Sequence, residues 1–389
     1  MEQEPTNIQT SKKAEWDHMQ RTLRMFHLDL INYALERGYS FRRWQTIANT
    51  ILFKDKDNVR LHCTRGIHIY EADYNLVLGL KWRMALYQAE ALKVLNAGQY
   101  GSRPKRNAID PVMLEELQLE VSRMSCRMLK QTHYDAASCY DRIIPNLAML
   151  ASQKYGVHPK VTQMNAKTLK KAKYHVRTEL GLSSTSFSHS DLSPIYGTGQ
   201  GSGNSSMLWL FLCCILFDIY DRMSTPARYT HPDRSKETNV SLIGLVDDNN
   251  GQANKFNALQ LWTNLQRLLR QAQRNANLWA LRLLCATGGA LELTKCSYHI
   301  LFWKFSIQGA PVLTNPKSEV PAMTVTDPHT NTTCELEYVN PYSAHKTLGC
   351  YKEPAGTQVT QFKQLKEKSN SITSFLWSTS LSRGEAWTY

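Results

Sequence analysis

Residues 241–254 read SLIGLVDDNNGQAN, an apolar run that stops at two adjacent aspartates. The apolar residues favour a β-strand, and the Asp, Asn and Gly residues that follow tolerate the backbone angles of tight turns. The stretch therefore predicts a β-hairpin whose tip carries Asp247 and Asp248. Two interpretations of this tip are open: an ordinary turn, or a place where the two carboxylates hold a metal ion.

The composition of the 389-residue chain favours a folded protein with a polyanionic partner. Its length suits two or three structural units, and 42% hydrophobic residues are enough for a buried core. The formal net charge of +13 favours nucleic acid or an acidic membrane surface as the partner. The basic segment TLKKAKYH, residues 168–175, is too short for a membrane-surface helix, so no membrane partner is expected.

The N-terminal segment and the cysteines indicate an intracellular protein. MEQEPTNIQTSKK, residues 1–13, is polar throughout and is unlike a signal peptide. The apolar run MLWLFLCCILF, residues 207–217, is too short to span a bilayer and suits a buried helix. The nine cysteines include no CxxC pair, so neither a zinc site nor a disulfide framework is expected. We expect a protein of the nucleus or cytoplasm that is not secreted.

Hydrophobic periodicity predicts helices and isolated strands along the chain. Helices are expected within 1–48 with Gly38 near the end, at 74–98 and 111–130, within 135–156 after a strand end, at 204–222 and 255–287, and from 358 onward. Strands are expected within 49–65, around 133–134, within 168–181, 193–205 and 291–305, and as short hairpins within 307–356. Residues 224–239 are expected to be a hydrophilic connector. This mixture indicates an α+β fold with an antiparallel sheet.

A further aspartate, Asp135, stands at a predicted strand end in THYDAASCYDRI, residues 132–143. If the fold brought Asp135 to Asp247, carboxylates about 4 Å apart would repel by roughly 4 kcal/mol at an effective dielectric of about 20. Oxygen ligands without a nearby His or Cys favour Mg²⁺ or Mn²⁺, and two such ions stabilise the oxygens of a phosphoryl transfer. The alternative is that each aspartate acts locally, Asp135 as a helix cap.

A glycine-rich stretch, GTGQGSGNSS at residues 197–206, precedes a predicted helix. Its glycines let the backbone approach another segment closely, and its Asn and Ser residues can cap the helix. The stretch lacks the GK[ST] of a Walker loop and the spacing of a Rossmann turn. An ordinary helix-entry loop and a functional loop are both open on this pattern alone.

Three motifs in this order resemble the palm of reverse transcriptases, most of all those of non-LTR retroelements and group II introns. YDAASCYDRI resembles the first palm motif, GTGQGSGNSS the GxxQGxxxSP motif, and LVDDNN the xxDD hairpin. Three upstream segments resemble fingers motifs of the same family: ILFKDKDN, TRGIHI and NAGQYGSRP. Two downstream segments, GGALELTKC and HKTLGCYKE, resemble later motifs. The resemblance covers roughly residues 40–355. It departs from the family at Ser206, where Pro is usual, and at Leu245, where an aromatic residue is frequent.

The resemblance implies a catalytic role for four side chains and one carbonyl. Asp135 and Asp247 would bind two Mg²⁺ or Mn²⁺ ions with help from the Ala136 carbonyl. Asp248 would be the second acid of the hairpin. Lys295 would be the general acid for the departing pyrophosphate, although the residue alone could equally be a solvated surface lysine.

Five more residues would contact the nucleotide by the same resemblance. Tyr140 would be the steric gate that selects deoxynucleotides, and Gln200 with Gly201 would line the pocket for template and nucleotide. Arg65 and Lys54 would hold the triphosphate, since both side chains suit phosphate oxygens. Without the resemblance, Tyr140 could be a core aromatic and the two basic residues a solvated hairpin edge.

GSGN, residues 201–204, also resembles the SGN of viral RNA-dependent RNA polymerases. Those enzymes typically carry a second Asp five positions after the first, where this chain has Tyr140. The pair Gln200 and Gly201 also favours the reverse transcriptase.

The expected fold is therefore α+β: a right-hand polymerase core of fingers and palm, with an antiparallel palm sheet packed on helices and a partial thumb. The expected domains are an N-terminal helical extension at 1–39, fingers at 40–130, palm at 131–310, and connection with partial thumb at 311–389.

The expected function is that of an RNA-directed DNA polymerase of a retroelement, with an RNA template, a DNA primer and deoxynucleoside triphosphates as partners. The alternative is an inactive polymerase-like remnant that binds nucleic acid without synthesis. It is motivated by the lack of any segment resembling an RNase H, endonuclease, protease, integrase or zinc knuckle, and by the short sequence left for a thumb.

Overall fold

The computed structural model describes residues 6–54, 60, 64–190, 196–231, 233–255, 261–318, 320–328 and 330–378. The chain divides into two compact units, the first from Met1–Val94 and Tyr140–Leu212, the second from Leu95–Cys139 and Cys213–Tyr389. The segments 40–130 and 131–310 each contribute to both units. The division into fingers, palm and thumb stays a prediction.

The described residues form a mixed α and β fold. The helices are α1 Thr6–Arg37, α2 Ala72–Ala91, α3 Ile109–Met124, α4 Cys139–Arg142, α5 Pro145–Lys154, α6 Pro159–Lys170, α7 Ser205–Met223, α8 Leu261–Thr287 and α9 Val359–Ser378. The strands are β1 Thr46–Phe53, β2 Thr64–Ile69, β3 Met128–Tyr134, β4 Lys173–Thr178, β5 Gly181–Leu182, β6 Phe187–Ser188, β7 Ala227–Thr230, β8 Glu237–Val240, β9 Leu242–Leu245, β10 Asp248–Lys255, β11 Ser297–Phe305, β12 Pro311–Thr314, β13 Thr324–Thr326, β14 Thr333–Glu335, β15 Glu337–Tyr338, β16 His345–Thr347 and β17 Cys350–Lys352.

The first unit contains a sheet of order β2-β1-β4-β5, with β6 also paired to β4. Strands β1 and β2 form the expected antiparallel hairpin, and β1 pairs with β4 in parallel. The helices of this unit bury large aromatic residues whose polar atoms are satisfied. The Trp82 indole donates to the Ser152 hydroxyl at 2.9 Å, and the Tyr74 hydroxyl donates to the Asn165 amide oxygen at 2.7 Å. Such partners allow Trp and Tyr to be buried at little cost.

The second unit is built on a sheet of order β12-β11-β3-β10-β9, in which all of these neighbours are antiparallel. Helix α8 packs on β3 and β10. Its apolar residues recur every three or four positions, which gives the helix one buried face. Trp279 on that face is fully buried and makes edge-to-face contacts with Phe217 and Tyr220. The antiparallel sheet packed on a helix matches the prediction for this part of the chain.

The run at residues 207–217 lies within α7, and every residue of it except Ile215 is buried. This agrees with the prediction of a buried helix. Among the described residues, no helix is long and apolar enough to cross a membrane.

Two predicted helices end earlier than expected. Helix α2 stops at Ala91, because Lys93 adopts a positive φ of 54° and the Val94 amide donates back to the Ala89 carbonyl. Helix α3 stops at Met124 in the same way, with Cys126 at a φ of 50°. Glycine usually occupies this position of a Schellman cap, and neither sequence supplies it. Residues 128–130 therefore belong to β3, and their assignment to a helix was wrong.

Four further predictions were wrong in detail. Residues 224–239 were expected to be a connector but contain the β7–β8 hairpin. Lys255, expected to begin a helix, is the last residue of β10; residues 256–260 lie outside the described residues, and α8 is described from Leu261. Residues 196–204 contain no strand apart from a single bridge between Gln200 and Ile67, whereas 193–195 lie outside the described residues. Residues 168–170, expected in a strand, end the helix α6.

Candidate active site

The register of two strands brings Asp135 beside the predicted hairpin tip. Tyr134, the last residue of β3, pairs with Asn249 of β10. Asp135 directly follows Tyr134 and Asp248 directly precedes Asn249, so the two carboxylates lie at the same end of the sheet. Residues opposite each other in antiparallel strands have Cβ atoms about 5 Å apart. The structure thus joins segments that are far apart in sequence.

The tip itself is a two-residue turn. Leu245 pairs with Asp248, which leaves Val246 and Asp247 as the connecting residues. Val246 has a φ of 59°. A positive φ at the first central position of such a turn normally calls for glycine, and a β-branched residue is strained there. Backbone strain of this kind is concentrated at functional sites and persists only where the surroundings enforce it.

Lys295 contacts the first aspartate directly. Its Nζ donates to Oδ2 of Asp135 at 2.9 Å, and this hydrogen bond raises the pKa of the lysine. The lysine ends a short 3-10 turn, Leu293–Lys295, which the backbone holds in place because the Glu292 amide donates to the Asp135 carbonyl at 2.9 Å. A second backbone hydrogen bond joins the same two segments, from the Ala137 amide to the Ala290 carbonyl. The Ala136 carbonyl takes part in neither of these two hydrogen bonds.

The remaining two carboxylates are harder to ionise than usual. Desolvation raises the pKa of Asp247, and repulsion from Asp135 adds to the shift. Desolvation, followed by repulsion from Asp247 and Asp135, raises the pKa of Asp248 to about 6. Lys295 opposes both shifts without cancelling them. Three carboxylates therefore share one ammonium, and the site carries an uncompensated negative charge.

The donor set of this site fits a hard divalent cation. Carboxylate and carbonyl oxygens are the ligands that Mg²⁺ and Mn²⁺ prefer, and the repulsion among the three aspartates would be relieved by added positive charge. In the described part of the chain, however, no three His, Cys, Asp or Glu side chains form a ready ligand group for one ion. The ammonium of Lys295 stands against Asp135, where a cation would bind that carboxylate.

A cavity of about 310 Å³ opens beside these groups. Asp135, Asp248 and Lys295 line it together with Glu115 and residues 345–349, which comprise β16 and the turn that follows it. Sequence reasoning missed Glu115, which is 3% exposed and forms a buried ion pair with Lys352. The acid lies in the middle of the amphipathic helix α3, where nothing in the sequence distinguishes it from a surface residue.

The glycine-rich stretch lies in the first unit, against β2. The Gln200 carbonyl accepts from the His68 amide at 2.7 Å. Gly199 and Gly201 have φ values of 74° and 113°, and a Cβ on either would clash with His68. Glycine is required here both by conformation and by close approach. The loop is therefore tightly docked on β2, and its functional role stays a prediction.

The other nucleotide-site candidates of the first unit lie close to this loop or on the adjacent hairpin. The Tyr140 carbonyl accepts from the Thr198 amide at 3.1 Å, and the Gln200 side chain donates to Asp141 at 3.5 Å. Desolvation raises the pKa of Asp141, whereas the charge of Lys54 and the hydrogen bond from Gln200 lower it.

Arg65 pairs with Leu52 on the same hairpin that ends at Lys54. The two basic residues therefore lie at the end of the hairpin where the chain passes from β1 to β2. Part of the expected turn at 54–58 lies outside the described residues.

No family model matches the chain. No curated protein matches it either. Among solved structures, the chain is similar to apo telomerase from Candida tropicalis truncated from its C-terminal domain, at 12% identity and a TM-score of 0.43, over 66% of this chain and 50% of that one.

Two further similar structures are telomerases in complex with the TWJ fragment of telomeric RNA. The Candida tropicalis complex has 11% identity and a TM-score of 0.43 over 79% of this chain and 49% of that one. The Candida albicans complex has 11% identity and a TM-score of 0.39 over 86% and 49%. The chain thus spans about half the length of each telomerase. At these TM-scores, the likeness adds no support for a fold or a function.

Proposed function

We propose that the chain is an RNA-directed DNA polymerase of a retroelement, which adds deoxynucleotides to the 3′-hydroxyl of a DNA primer on an RNA template. The observation that carries the proposal is the meeting of Asp135, Asp247 and Asp248 at one end of an antiparallel sheet beside a lysine. Phosphoryl transfer needs such a concentration of carboxylates, because the cations that stabilise its charged oxygens are held by oxygen ligands.

The residues of the second unit would carry the chemistry. The three aspartates and the Ala136 carbonyl would hold two Mg²⁺ ions, or Mn²⁺, which when bound supply positive charge at the attacking and leaving oxygens. Lys295 would protonate the departing pyrophosphate as a general acid. Lysine is protonated at neutral pH, and the hydrogen bond to Asp135 raises the pKa of Lys295 further. Once Lys295 leaves Asp135, its pKa falls towards the usual range and it gives up the proton more readily.

The residues of the first unit would bind the incoming deoxynucleoside triphosphate. The Tyr140 ring would exclude a ribose 2′-hydroxyl, and Gln200 with Gly201 would contact nucleotide and template. Arg65 and Lys54 would bind phosphate oxygens. The docking of the glycine loop on β2 supports this assignment, since it fixes the backbone of Gln200 and Gly201.

The net charge of +13 supports nucleic acid as the main partner. An RNA–DNA duplex would be held largely through its phosphate backbone, which explains a general basic excess. The retroelement class, and with it a place in the nucleus or cytoplasm, rests on the motifs of the sequence.

Primer extension tests the proposal. A labelled DNA primer annealed to an RNA template is incubated with deoxynucleotides, Mg²⁺ and the wild-type chain, the Asp247→Asn variant or the Asp233→Asn variant. Asp233 is a matched control, an exposed acid in the turn between β7 and β8. We expect extension by the wild type and by Asp233→Asn, and a loss of at least about 10³-fold in Asp247→Asn.

A binding assay with the same duplex separates the alternative. If the wild type binds the duplex but neither it nor any variant incorporates nucleotides, the polymerase proposal is wrong. The inactive, nucleic-acid-binding remnant would then take its place.

A further inference from the structure

The side-chain amide of Gln99 makes a two-way contact with the strained residue of the hairpin tip. Its Oε1 accepts from the Val246 amide at 3.2 Å, and its Nε2 donates to the Val246 carbonyl at 3.2 Å. The same Oε1 accepts from the Gly101 amide at 2.8 Å, and Nε2 also donates to Cys213 Sγ at 3.1 Å. Gln99 is 1% exposed, so its side chain is shielded from water, whereas Val246 is half-buried.

The backbone around Gln99 is held along strand β9. The Tyr100 amide donates to the Gly244 carbonyl at 2.8 Å, and the Gly244 amide donates to the Gly98 carbonyl at 2.9 Å. Gly101 lies so close to Val246 that a Cβ there would clash with the valine backbone. Residues 98–101 therefore form a short edge against the hairpin, and the Gln99 side chain reaches from this edge to the turn.

We propose that Gln99 is a positioning residue that holds Val246 in its left-handed conformation and thereby fixes Asp247 and Asp248. The proposal rests on the proposed polymerase function only for its catalytic consequence. A β-branched residue at a φ of 59° tends to leave that region unless its neighbours enforce it. A side-chain amide that binds both the N–H and the C=O of one residue fixes the orientation of both flanking peptide planes.

The position of Asp247 depends on this geometry, because it directly follows Val246. A change in the Val246 backbone angles would swing the carboxylates of both hairpin acids relative to Asp135. Catalytic groups must be held to within a fraction of an ångström, so such a swing is expected to lower the rate of chemistry more than nucleotide binding.

The first experiment measures hydrogen exchange and needs no enzyme activity. Gln99→Met keeps the side-chain length but removes the amide. We expect the backbone amides of residues 244–250 to exchange about tenfold faster in Gln99→Met, the factor expected from losing about one net hydrogen bond. Gln118→Met is the matched control. Gln118 is 4% exposed in the same unit, and its amide has no hydrogen-bond partner among the described residues.

Two exchange results would overturn the proposal, whether or not the chain is a polymerase. One is a wild-type rate at 244–250 in Gln99→Met. The other is a uniform acceleration that extends to β11, which would mean general loss of stability. The Gln118→Met variant is expected to exchange at the wild-type rate in both segments.

The second experiment is a rescue in the primer-extension assay. Gln99→Met is expected to lower kcat at least tenfold while the KM for deoxynucleotide changes less than about twofold. Glycine adopts a positive φ without strain, so Val246→Gly should make the amide contact largely dispensable. In the Val246→Gly background, Gln99→Met should therefore cost less than about threefold.

A purely structural role for Gln99 would give no such rescue, because the buried space it fills is the same in both backgrounds. An equal loss in the two backgrounds would overturn the proposal. If the wild type incorporates nothing, the polymerase function fails, and the exchange experiment alone decides the role of Gln99.

Discussion

The ammonium of Lys295 lies 2.9 Å from Oδ2 of Asp135, at the end of the sheet where the hairpin tip carries Asp247 and Asp248. The positive charge of Lys295 therefore interacts with three carboxylates. Its charge opposes the raised pKa of both hairpin acids, but desolvation, followed by repulsion from Asp247 and Asp135, still raises that of Asp248 to about 6. The Lys295 ammonium therefore occupies a place that a metal ion could take, beside carboxylates whose charge it does not fully balance.

Replacement of Lys295 by methionine is expected to lower kcat for nucleotide addition by about 10²-fold, because the proton donor for pyrophosphate is lost. The acid limb of the pH–rate profile should also move to higher pH, since Lys295 no longer favours the ionised form of Asp247 and Asp248. Primer extension over a range of pH measures both effects. Lys317→Met, an exposed lysine of the same unit, should match the wild type, and an unchanged kcat in Lys295→Met would exclude the proton-donor role.

The raised pKa of Asp248 makes stability depend on pH. The folded state binds its proton with a pKa of about 6, above the usual 3.8, so the folded state holds more protons than the unfolded state between these values. The contribution of Asp248 to stability without divalent cations should therefore fall as the pH rises from about 4 to 6 and stay constant above that. Asp248→Asn should lack this contribution and be more stable than the wild type at neutral pH.

Urea unfolding in EDTA at several pH values measures the slope for Asp248. Asp233→Asn is the control, because hydrogen bonds from Ser235 lower the pKa of Asp233 and its removal cannot flatten a slope of this sign. Added Mg²⁺ should stabilise the wild type more than Asp248→Asn. Identical pH slopes in the wild type and Asp248→Asn would mean that the fold does not raise the pKa of Asp248.

The sequence predicted the hairpin because the residues that form its turn are adjacent in the chain. It could not show that β3, the strand before Asp135, pairs with the hairpin. Asp135 meets Asp248 only through the pairing of Tyr134 with Asn249, a contact between segments far apart in the chain. The resemblance to a polymerase supplied that expectation. Gln99 was missed because its role depends on the fold of a segment without a regular helix or strand.

Strand β3 shows a second limit of periodicity. Only its last residues were predicted, because MLKQTHY has no alternation of apolar and polar residues. Six of its seven residues are nevertheless buried, including Lys130, whose ammonium donates to Thr132 and lies 5.0 Å from the centre of the Tyr298 ring. A strand whose buried side chains are polar and partnered by the fold carries no hydrophobic pattern.

Helix ends show the same dependence on local chemistry. Helix α1 ends where Gly38 predicts, and this glycine has a φ of 60°. Helices α2 and α3 use Lys93 and Cys126 in the same left-handed position. The rule that looks for glycine therefore placed the end of α2 too late, at Gly98, and had no glycine to mark the end of α3.

Gly199→Ala is expected to weaken the docking of the glycine loop. The new methyl group would clash with His68 and Tyr70, in addition to the cost of a φ of 74°. The free energy of unfolding should fall by about 2 kcal/mol or more, which urea denaturation can measure. Gly181→Ala is the matched control, since its φ of 114° is also positive but no atom lies within 4 Å of the new methyl group. An equal loss in the two variants would mean that the loop is not tightly docked.

Tyr140→Ala tests the sugar gate of the first unit. The Tyr140 ring is half-buried, and its centre lies 6.4 Å from that of Trp209. Removal of the ring therefore opens space next to Trp209. If the ring excludes the 2′-hydroxyl, the ratio of kcat/KM for ribonucleotide to that for deoxynucleotide should rise at least tenfold in primer extension. Tyr87→Ala, an exposed tyrosine of the same unit, should leave the ratio unchanged. A loss of activity towards both sugars with an unchanged ratio would instead identify Tyr140 as a packing residue of the helix entry.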